Sequence, residues 1–193
     1  MSISQKLASA TVGIAGLGGL GSNVASLLAR AGVGRLIIAD FDYVEPENLT
    51  RQQYFTDQTG KSKVDCTTEN LHRINPQVQV VGHKLRLARE NVVAVFAGAD
   101  VIAECLDEAG QKKMLVETVL TQTVEPVVVT AVGLAGYGDS NSIVTRRISE
   151  RLIMVGDGRS GIDSGAILCA PRVALAAAHQ ANAIVEVIID GKG

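Results

Sequence analysis

Residues 11–32, TVGIAGLGGLGSNVASLLARAG, decide the fold of this chain. The first five, TVGIA, are uncharged and mostly apolar, and they predict a short buried strand. After a run of glycines, SNVASLLARAG has the apolar spacing of a helix and ends at Gly32, where glycine readily takes the left-handed conformation of a helix end. A glycine turn between strand and helix lets a phosphate approach the backbone, and the helix N-terminus offers free N–H groups. This stretch therefore predicts a nucleotide-binding α/β unit.

An acidic residue stands where such a unit would hold a ribose. The second apolar segment, RLIIA at 35–39, leads into Asp40, 19 residues after Gly21. A carboxylate at that place accepts hydrogen bonds from ribose hydroxyls. We therefore expect a nucleotide pocket formed by Asp40 and by four glycines of the loop, Gly16, Gly18, Gly19 and Gly21. The structural alternative is a glycine turn that merely packs helix on strand, and the loop by itself does not distinguish NAD from ATP.

Apolar segments and helical patterns alternate along the rest of the chain. Further strands are predicted at 77–81, 101–105 and 126–132. Further helices are predicted over 59–74, 90–98 and about 108–123. Most of the strands are apolar throughout, which is typical of a parallel sheet covered on both faces. The chain therefore predicts a Rossmann-like α/β fold, with a mostly parallel sheet and helices on both sides of it.

The C-terminal third departs from this alternation. Residues 141–148 and 151–155 look like two neighbouring strands that form an antiparallel edge. The glycine-rich stretch 156–165 predicts a mobile loop, and Pro171 then opens an alanine-rich helix that runs to about residue 189. Because no repeat, low-complexity tract or linker interrupts the chain, a single domain is predicted over residues 1–193.

The composition argues against several classes of function. The 193 residues carry a net charge of −2 and 3% aromatic residues, so the chain lacks the features of nucleic-acid binders and of proteins attracted to anionic membranes. No apolar run is expected to span a bilayer. The three cysteines, Cys66, Cys105 and Cys169, form no C-x-x-C pair, which argues against a zinc site and makes a reduced, cytoplasmic protein the expectation.

The segment after the second strand carries a specific resemblance. DFDYVEPENLTRQ (40–52), together with the GLGGLGS loop, resembles the ThiF/MoeB/HesA family of adenylating enzymes, relatives of the ubiquitin-activating enzymes. Further stretches are similar to family motifs: GKSK (60–63), INP (74–76) and ECLDE (104–108). Residues 136–148 and 170–182 resemble a short ThiF-like subgroup that lacks the zinc-binding cysteines.

The resemblance implies a reaction and its site residues. The reaction is the ATP-dependent adenylation of the C-terminal Gly-Gly carboxylate of a small ubiquitin-like sulfur carrier similar to ThiS, in thiamine-type sulfur transfer. Arg51 and Lys63 match catalytic, phosphate-contacting residues, and Asp107 matches the catalytic carboxylate that helps to hold Mg²⁺. Asn48 and Gln52 match polar positions around the phosphates. ATP and Mg²⁺ are therefore the expected cofactors, the carrier is the expected partner, and a homodimer is the expected assembly.

Two other functions compete with adenylation. The first is a non-catalytic, nucleotide-binding subunit of the same fold, and the second is an NAD-linked oxidoreductase. Retention of Arg51, Lys63 and Asp107 together argues against the first, and two cations downstream of the ribose position argue against the second. Without the resemblance, each of the cations could be a solvated surface group, and Asp107 could cap the next helix.

Some positions depart from the family pattern or have structural interpretations. Glu108 stands where the family has Asn and adds an anion beside the metal position. Ten residues precede the first strand with Lys6 as their one cation, so the arginine that family members extend to a partner's ATP has no match here. Cys66 and Cys169 are interpreted as packed residues, and Asp42 is assigned first to the structure of its loop.

Overall fold

Seven strands of the described residues, 1–160 and 167–191 in this computed structural model, form one sheet. They are β1 (Thr11–Ala15), β2 (Arg35–Asp40), β3 (Gln79–Lys84), β4 (Val101–Glu104), β5 (Val127–Ala131), β6 (Val144–Ser149) and β7 (Leu152–Gly156). The spatial order is β3-β2-β1-β4-β5-β7-β6. β6 runs antiparallel to β7, and the other strand pairs are parallel. The predicted Rossmann-like sheet with an antiparallel C-terminal edge is confirmed.

Helices cover both faces of the sheet, as predicted. They are α1 (Ile3–Ser9), α2 (Gly19–Ala31), α3 (Lys63–Ile74), α4 (Val92–Val95), α5 (Ala109–Gln122) and α6 (Ala170–Asp190), with short 3₁₀ turns at Pro46–Thr50, Thr56–Gln58 and Ser140–Ser142. The core on one face includes Leu28 of α2 and Ile184 of α6, together with residues of α1 and α3. The core on the other face includes Val92 of α4 and Leu115 of α5.

Burial explains the composition of the strands. Every residue of β4 and β5 is buried, and in β2 only Arg35 is exposed, so these central strands are mostly apolar on both faces. Asp40 and Glu104, at the ends of β2 and β4, are buried exceptions. β6 forms an edge of the sheet and is exposed along most of its length. Arg146 and Arg147 lie on this edge, where charged side chains discourage pairing with another chain.

Several predicted boundaries are shifted by two or more residues, including the start of β6, expected at 141 and found at Val144. The helix expected over 90–98 is the single turn Val92–Val95, and the strand expected at 77–81 lies at Gln79–Lys84. The helix expected over 59–74 begins at Lys63, because residues before it pair with the loop after β2. There the N–H of Gly60 donates to the Val44 carbonyl at 2.8 Å, and the N–H of Val44 donates to the Lys61 carbonyl at 2.9 Å.

Helix α1 was not predicted from the sequence. Ser2 and Gln5 form a capping box, in which the Gln5 N–H donates to Ser2 Oγ at 3.3 Å and the Ser2 N–H donates to Gln5 Oε1 at 2.8 Å. Lys6 Nζ donates to the carbonyl of Ile189, near the C-terminus of α6. Val173, near the start of α6, packs on the glycine loop, so roughly 24 Å of helix separates that loop from the contact of Lys6.

Helix α6 is long and apolar enough to cross a membrane by length and composition alone, with a mean hydropathy of 1.3. No such segment was expected from the sequence. Of this stretch, 44% is buried inside the structure, where Ala176, Ala177 and Ile184 pack into the core. Core helices of folded proteins meet the same length and composition criteria.

A buried arginine fastens the first turn of α6. Arg172 donates to the carbonyls of Ala135 at 3.1 Å and Gly138 at 2.8 Å, and its Nη2 lies 2.6 Å from Asp157 Oδ2. These contacts join α6 to the loops that follow β5 and β7. Asp157 also holds the turn formed by the next three residues, whereas the second half of the stretch predicted to be mobile, residues 161–165, lies outside the described residues.

Candidate active site

The glycine loop between β1 and α2 leaves no room for side chains at two positions. Gly16 has a φ of +88°, and a Cβ atom there would lie 2.9 Å from the carbonyl oxygen of Cys105. A Cβ atom on Gly21 would lie 1.8 Å from the carbonyl oxygen of Gly16. Helix α2 begins after Gly18, and no side chain among the described residues caps it. The N–H groups of its first turn are therefore available to an anion.

Asp40 lies beside this loop, where the sequence predicts the ribose contact. Its Oδ2 accepts from the Leu17 N–H at 2.6 Å, and its Oδ1 accepts from the Asp42 N–H at 2.8 Å. The buried carboxylate is thus held rigidly between the glycine loop and the residues after β2. Each carboxylate oxygen can accept a further hydrogen bond, so the geometry is compatible with a ribose hydroxyl.

Tyr54 anchors the same loop and was not singled out from the sequence. Its hydroxyl donates to the Leu17 carbonyl at 2.8 Å and lies 3.1 Å from Thr67 Oγ1. Burial raises the pKa of Tyr54 well above its usual value, so the phenol stays protonated and keeps donating. One residue of the loop, Leu17, is therefore fixed through its N–H by Asp40 and through its carbonyl by Tyr54.

Asn48 shapes the turn that presents the next two predicted residues. Its Oδ1 accepts from the Glu45 N–H at 3.1 Å. Its carbonyl accepts from the N–H groups of Arg51 at 3.1 Å and Gln52 at 2.9 Å. The nearly buried amide of Asn48 thus has a structural task, and its contact with phosphate stays a prediction.

Arg51 lies across the start of α2. A Cβ atom placed on Gly19 would lie 3.7 Å from Arg51 Cγ. The guanidinium makes weak contacts, with Nη1 3.3 Å from the Glu47 carbonyl and 3.5 Å from Thr50 Oγ1. It forms no ion pair with the described residues. Its charge is therefore available to a phosphate at the helix N-terminus.

Gln52 carries an unsatisfied polar atom in the same place. The residue is 8% exposed, and within the described chain its Oε1 is the one buried side-chain oxygen or nitrogen without a hydrogen-bond partner. Its Nε2 lies 3.9 Å from the position of a Cβ atom on Gly18. Burying a polar group without a partner costs about 1–3 kcal/mol, which is typical of a side chain that awaits a ligand.

Lys63 is the first residue of α3, and its side chain is 7% exposed. Nζ lies 2.8 Å from Asp42 Oδ2, and the Lys63 N–H donates to the Asp42 carbonyl at 3.0 Å. Asp42 donates in turn to Asp40, so a continuous chain of hydrogen bonds runs from the glycine loop to Lys63. Lys61, two residues earlier, is exposed.

Asp107 follows β4 at the same edge of the sheet. It is exposed, and it does not cap α5, whose N-cap is Glu108. The additional charge of Glu108 is neutralised by Arg86, whose Nη2 lies 3.3 Å from Glu108 Oε1. Arg86 also lies 5.1 Å from the ring centroid of Phe41. The anion at position 108 is therefore paired within the chain rather than directed at a phosphate.

Within the described ranges no three His, Cys, Asp or Glu residues cluster as metal ligands. Mg²⁺ takes few protein carboxylates and keeps water or phosphate oxygens as its other ligands. Asp107 offers one exposed carboxylate near the end of β4. One carboxylate is enough for Mg²⁺ that arrives already bound to a nucleotide, whereas a metal ion held by the protein alone needs several ligands.

Residues 2–191 of this chain match the model of the ThiF family. The chain belongs to the ThiF family. It is 35% identical to the sulfur carrier protein ThiS adenylyltransferase of Escherichia coli over 133 residues, which are 68% of this chain and 53% of the relative. It is 37% identical to the molybdopterin-synthase adenylyltransferase of Salmonella typhimurium over 112 residues, 58% of this chain and 45% of the relative. The aligned regions cover between 22% and 53% of such curated relatives.

Solved structures with the same fold include two E. coli proteins in complex with ATP. The tRNA N6-threonylcarbamoyladenosine dehydratase TcdA superposes with a TM-score of 0.87 at 21% identity, over 97% of this chain and 89% of that one. MccB superposes with a TM-score of 0.74 at 25% identity, over 96% of this chain and 57% of that one. The TcdA likeness shows the fold alone.

The cysteines of this ThiF-family chain differ in their surroundings. Cys66 and Cys105 are buried, and burial raises the pKa of both thiols, which keeps them protonated and unreactive. The interpretation of Cys66 as a packed residue is confirmed. Cys169 is partly exposed and stands at the N-cap of α6.

Besides Tyr54, two site features of this ThiF-family chain were missed in the sequence. Asp42 was assigned to loop structure, yet its carboxylate pairs with Lys63. Asn23 of α2 binds the segment that carries Arg51, with Nδ2 3.2 Å from the Arg51 carbonyl and Oδ1 2.7 Å from Gln53 Nε2. The signal for Asp42 was its place two residues after Asp40 in the DFD motif, whereas Asn23 carried no signal beyond its polarity on an apolar helix.

Proposed function

We propose that this chain catalyses the ATP-dependent adenylation of the C-terminal Gly-Gly carboxylate of a ThiS-like sulfur carrier, in thiamine-type sulfur transfer. A carboxylate oxygen attacks the α-phosphorus and forms an acyl–phosphate bond. The bond between the α-phosphorus and the oxygen that bridges to the β-phosphorus breaks, and pyrophosphate leaves with the electron pair. The name of the E. coli relative, ThiS adenylyltransferase, supports this choice of carrier.

The observation that carries the proposal is the set of polar groups around the glycine loop. An available guanidinium, Arg51, lies at the start of α2, and the buried amide of Gln52 lacks a partner beside it. A buried ammonium, Lys63, is linked to the same loop through Asp42 and Asp40. This arrangement offers positive charge and donors to a polyphosphate and leaves one acceptor, Asp40, for the ribose.

The reaction needs little acid–base catalysis, because the attacking carboxylate is ionised at neutral pH. It needs neutralisation of charge and alignment of the nucleophile with the bond that breaks. The planar fork of Arg51 suits the oxygens of the β- and γ-phosphates, and the point charge of Lys63 suits the charge that develops near the α-phosphate. Mg²⁺ held by Asp107 would neutralise further phosphate charge when it is bound.

We further propose that the chain forms a homodimer. A groove of about 440 Å³ between α2, α3 and α6 is lined by Leu27, Phe55 and Ile74, with Arg30 and Arg73 at its rim. Phe55 is 53% exposed, and Arg73 lies 5.9 Å from the centroid of its ring. The lining mixes these apolar side chains with polar ones such as Asn70 and Gln53. An exposed aromatic ring with polar and arginine side chains around it is typical of a protein contact, and a second copy is the occupant that we assign.

ATP–pyrophosphate exchange with a carrier that ends in Gly-Gly tests the proposal. We expect exchange with the carrier and none with the same carrier shortened by the two glycines. Absence of exchange with every carrier, combined with tight ATP binding in calorimetry, would favour the non-catalytic subunit. Binding of NAD in place of ATP would favour the oxidoreductase.

Modified tRNA is a second candidate substrate, suggested by the name of the structural neighbour TcdA and not by its fold. The net charge of −2 gives this chain no general attraction for RNA. Exchange that depends on modified tRNA and not on any carrier would select this second candidate.

A further inference from the structure

Asp42 is the one carboxylate of the described residues that pairs with a cation predicted to contact the phosphates. Its Oδ2 lies 2.8 Å from Lys63 Nζ, whereas Arg51 has no such partner. The two ends of the pair differ in exposure, with Lys63 at 7% and Asp42 at 47%. The ammonium therefore lies inside the protein, and the carboxylate lies at the surface.

The backbone of Asp42 is fixed on both sides of its side chain. Its N–H donates to Asp40 Oδ1 at 2.8 Å, and its carbonyl accepts from the Lys63 N–H at 3.0 Å. The Asp42 carboxylate is thus presented from a rigid point at the end of β2. A lysine side chain has many rotamers, and a fixed partner for Nζ removes most of them before a substrate binds.

The pair leaves Lys63 able to bind a phosphate. An ammonium group has three N–H donors, and Asp42 engages one, so two stay available. Because the ammonium is buried and the carboxylate is half exposed, removing the carboxylate leaves a buried charge without its partner, which also lowers the stability of the fold. The pair also fixes the position of the Lys63 ammonium.

We propose that Asp42 is a positioning residue, which holds Nζ of Lys63 where it meets the nucleotide phosphates. The role rests on the proposed adenylation and acts entirely through Lys63. Asp42 touches neither the nucleotide nor the carrier in this assignment, so its removal should matter only while Lys63 is present.

A double-mutant cycle tests this dependence in the ATP–pyrophosphate exchange assay. Asp42→Ala keeps both backbone hydrogen bonds and removes the carboxylate, and we expect kcat to fall by about 10- to 100-fold, with a smaller change in the KM for ATP. Lys63→Ala should lower kcat at least as far. The kcat of the double variant should be no lower than that of Lys63→Ala alone. Asp42→Asn keeps an oxygen for Nζ and should be intermediate between Asp42→Ala and the native chain.

The pair between Lys84 and Asp65 provides a matched control. Its atoms are 2.7 Å apart, and its side chains are 56% and 58% exposed. Asp65→Ala should leave both kcat and KM unchanged, and circular dichroism should show the native fold for every variant.

The outcomes separate this proposal from the one on which it rests. Native-like exchange by Asp42→Ala, or a further loss when Asp42→Ala is added to Lys63→Ala, would overturn the positioning role and leave adenylation intact. Absence of exchange by the native chain with every carrier would overturn adenylation, and the positioning role with it.

Discussion

Replacing Asp157 with Asn should remove one defined part of the acid sensitivity of this protein. Asp157 Oδ1 accepts from the N–H groups of Arg159 at 2.7 Å and Ser160 at 2.8 Å. Its Oδ2 accepts from Ser160 Oγ and from Arg172 Nη2, both at 2.6 Å. Burial by itself would raise the pKa of Asp157, but the hydrogen bonds from Ser160, Arg159 and Arg172 lower it from 3.8 to about 2.

The sign of the effect follows from the two pKa values. The folded state binds the proton of Asp157 less tightly than the unfolded chain does, so the carboxylate stabilises the fold above the unfolded pKa of 3.8. This stabilisation is lost as the pH falls from about 4 through the folded pKa of about 2. The difference between the two values corresponds to about 2 kcal/mol in the free energy of unfolding.

Urea unfolding followed by circular dichroism at several pH values between 5 and 2 measures this contribution, since the chain has no tryptophan for fluorescence. The difference in stability between the native chain and Asp157→Asn should shrink by about 2 kcal/mol across this range, because all other carboxyls titrate in both. Asp65→Asn, at an exposed ion pair, is the control and should show no such change. A constant difference between native and Asp157→Asn from pH 5 to pH 2 would refute the reasoning.

Four further outcomes follow from the site and the groove. Lys63→Ala should lower kcat for pyrophosphate exchange by about 10²–10³-fold, with a smaller effect on ATP affinity measured by calorimetry, because its charge matters most as charge builds at the α-phosphorus. Arg51→Ala should raise the KM for ATP as well, since a β/γ contact already exists in the ground state, and an unchanged KM would argue against that contact. Asp107→Ala should recover part of its lost exchange rate in excess Mg²⁺, and a defect insensitive to Mg²⁺ would contradict metal holding. Light scattering of the native chain at micromolar concentration should give twice the chain mass of 20.2 kDa. Phe55→Asp should lower the measured mass towards that of the monomer, and a monomeric native chain would refute the dimer.

Local sequence patterns were sufficient to predict a strand and the helix after it where a glycine or proline separates the two. The bounds of the strand Thr11–Ala15 and the end of the helix at Gly32 were predicted correctly, because burial on both faces and a left-handed glycine are properties of short segments. The helix begins at Gly19, three residues before its predicted start. The antiparallel edge of β6 and β7 was also predicted, because two strand patterns separated by two residues favour a hairpin. The start of α3 was misplaced, because residues 60–62 pair with a loop more than fifteen residues earlier, and this pairing overrides their helical pattern.

The sequence by itself determined which residues could meet a nucleotide. The spacing along the chain predicts the glycine loop, the acid at the end of β2, and the motif that contains Arg51 and Lys63. What surrounds each side chain was decided by the tertiary structure. The parallel sheet brings strand ends from distant parts of the chain to one edge, so Asp42 meets Lys63 and Arg172 meets Asp157 across loops of different length. Such contacts depend on the path of the backbone in space, which cannot be predicted from the periodicity of the sequence.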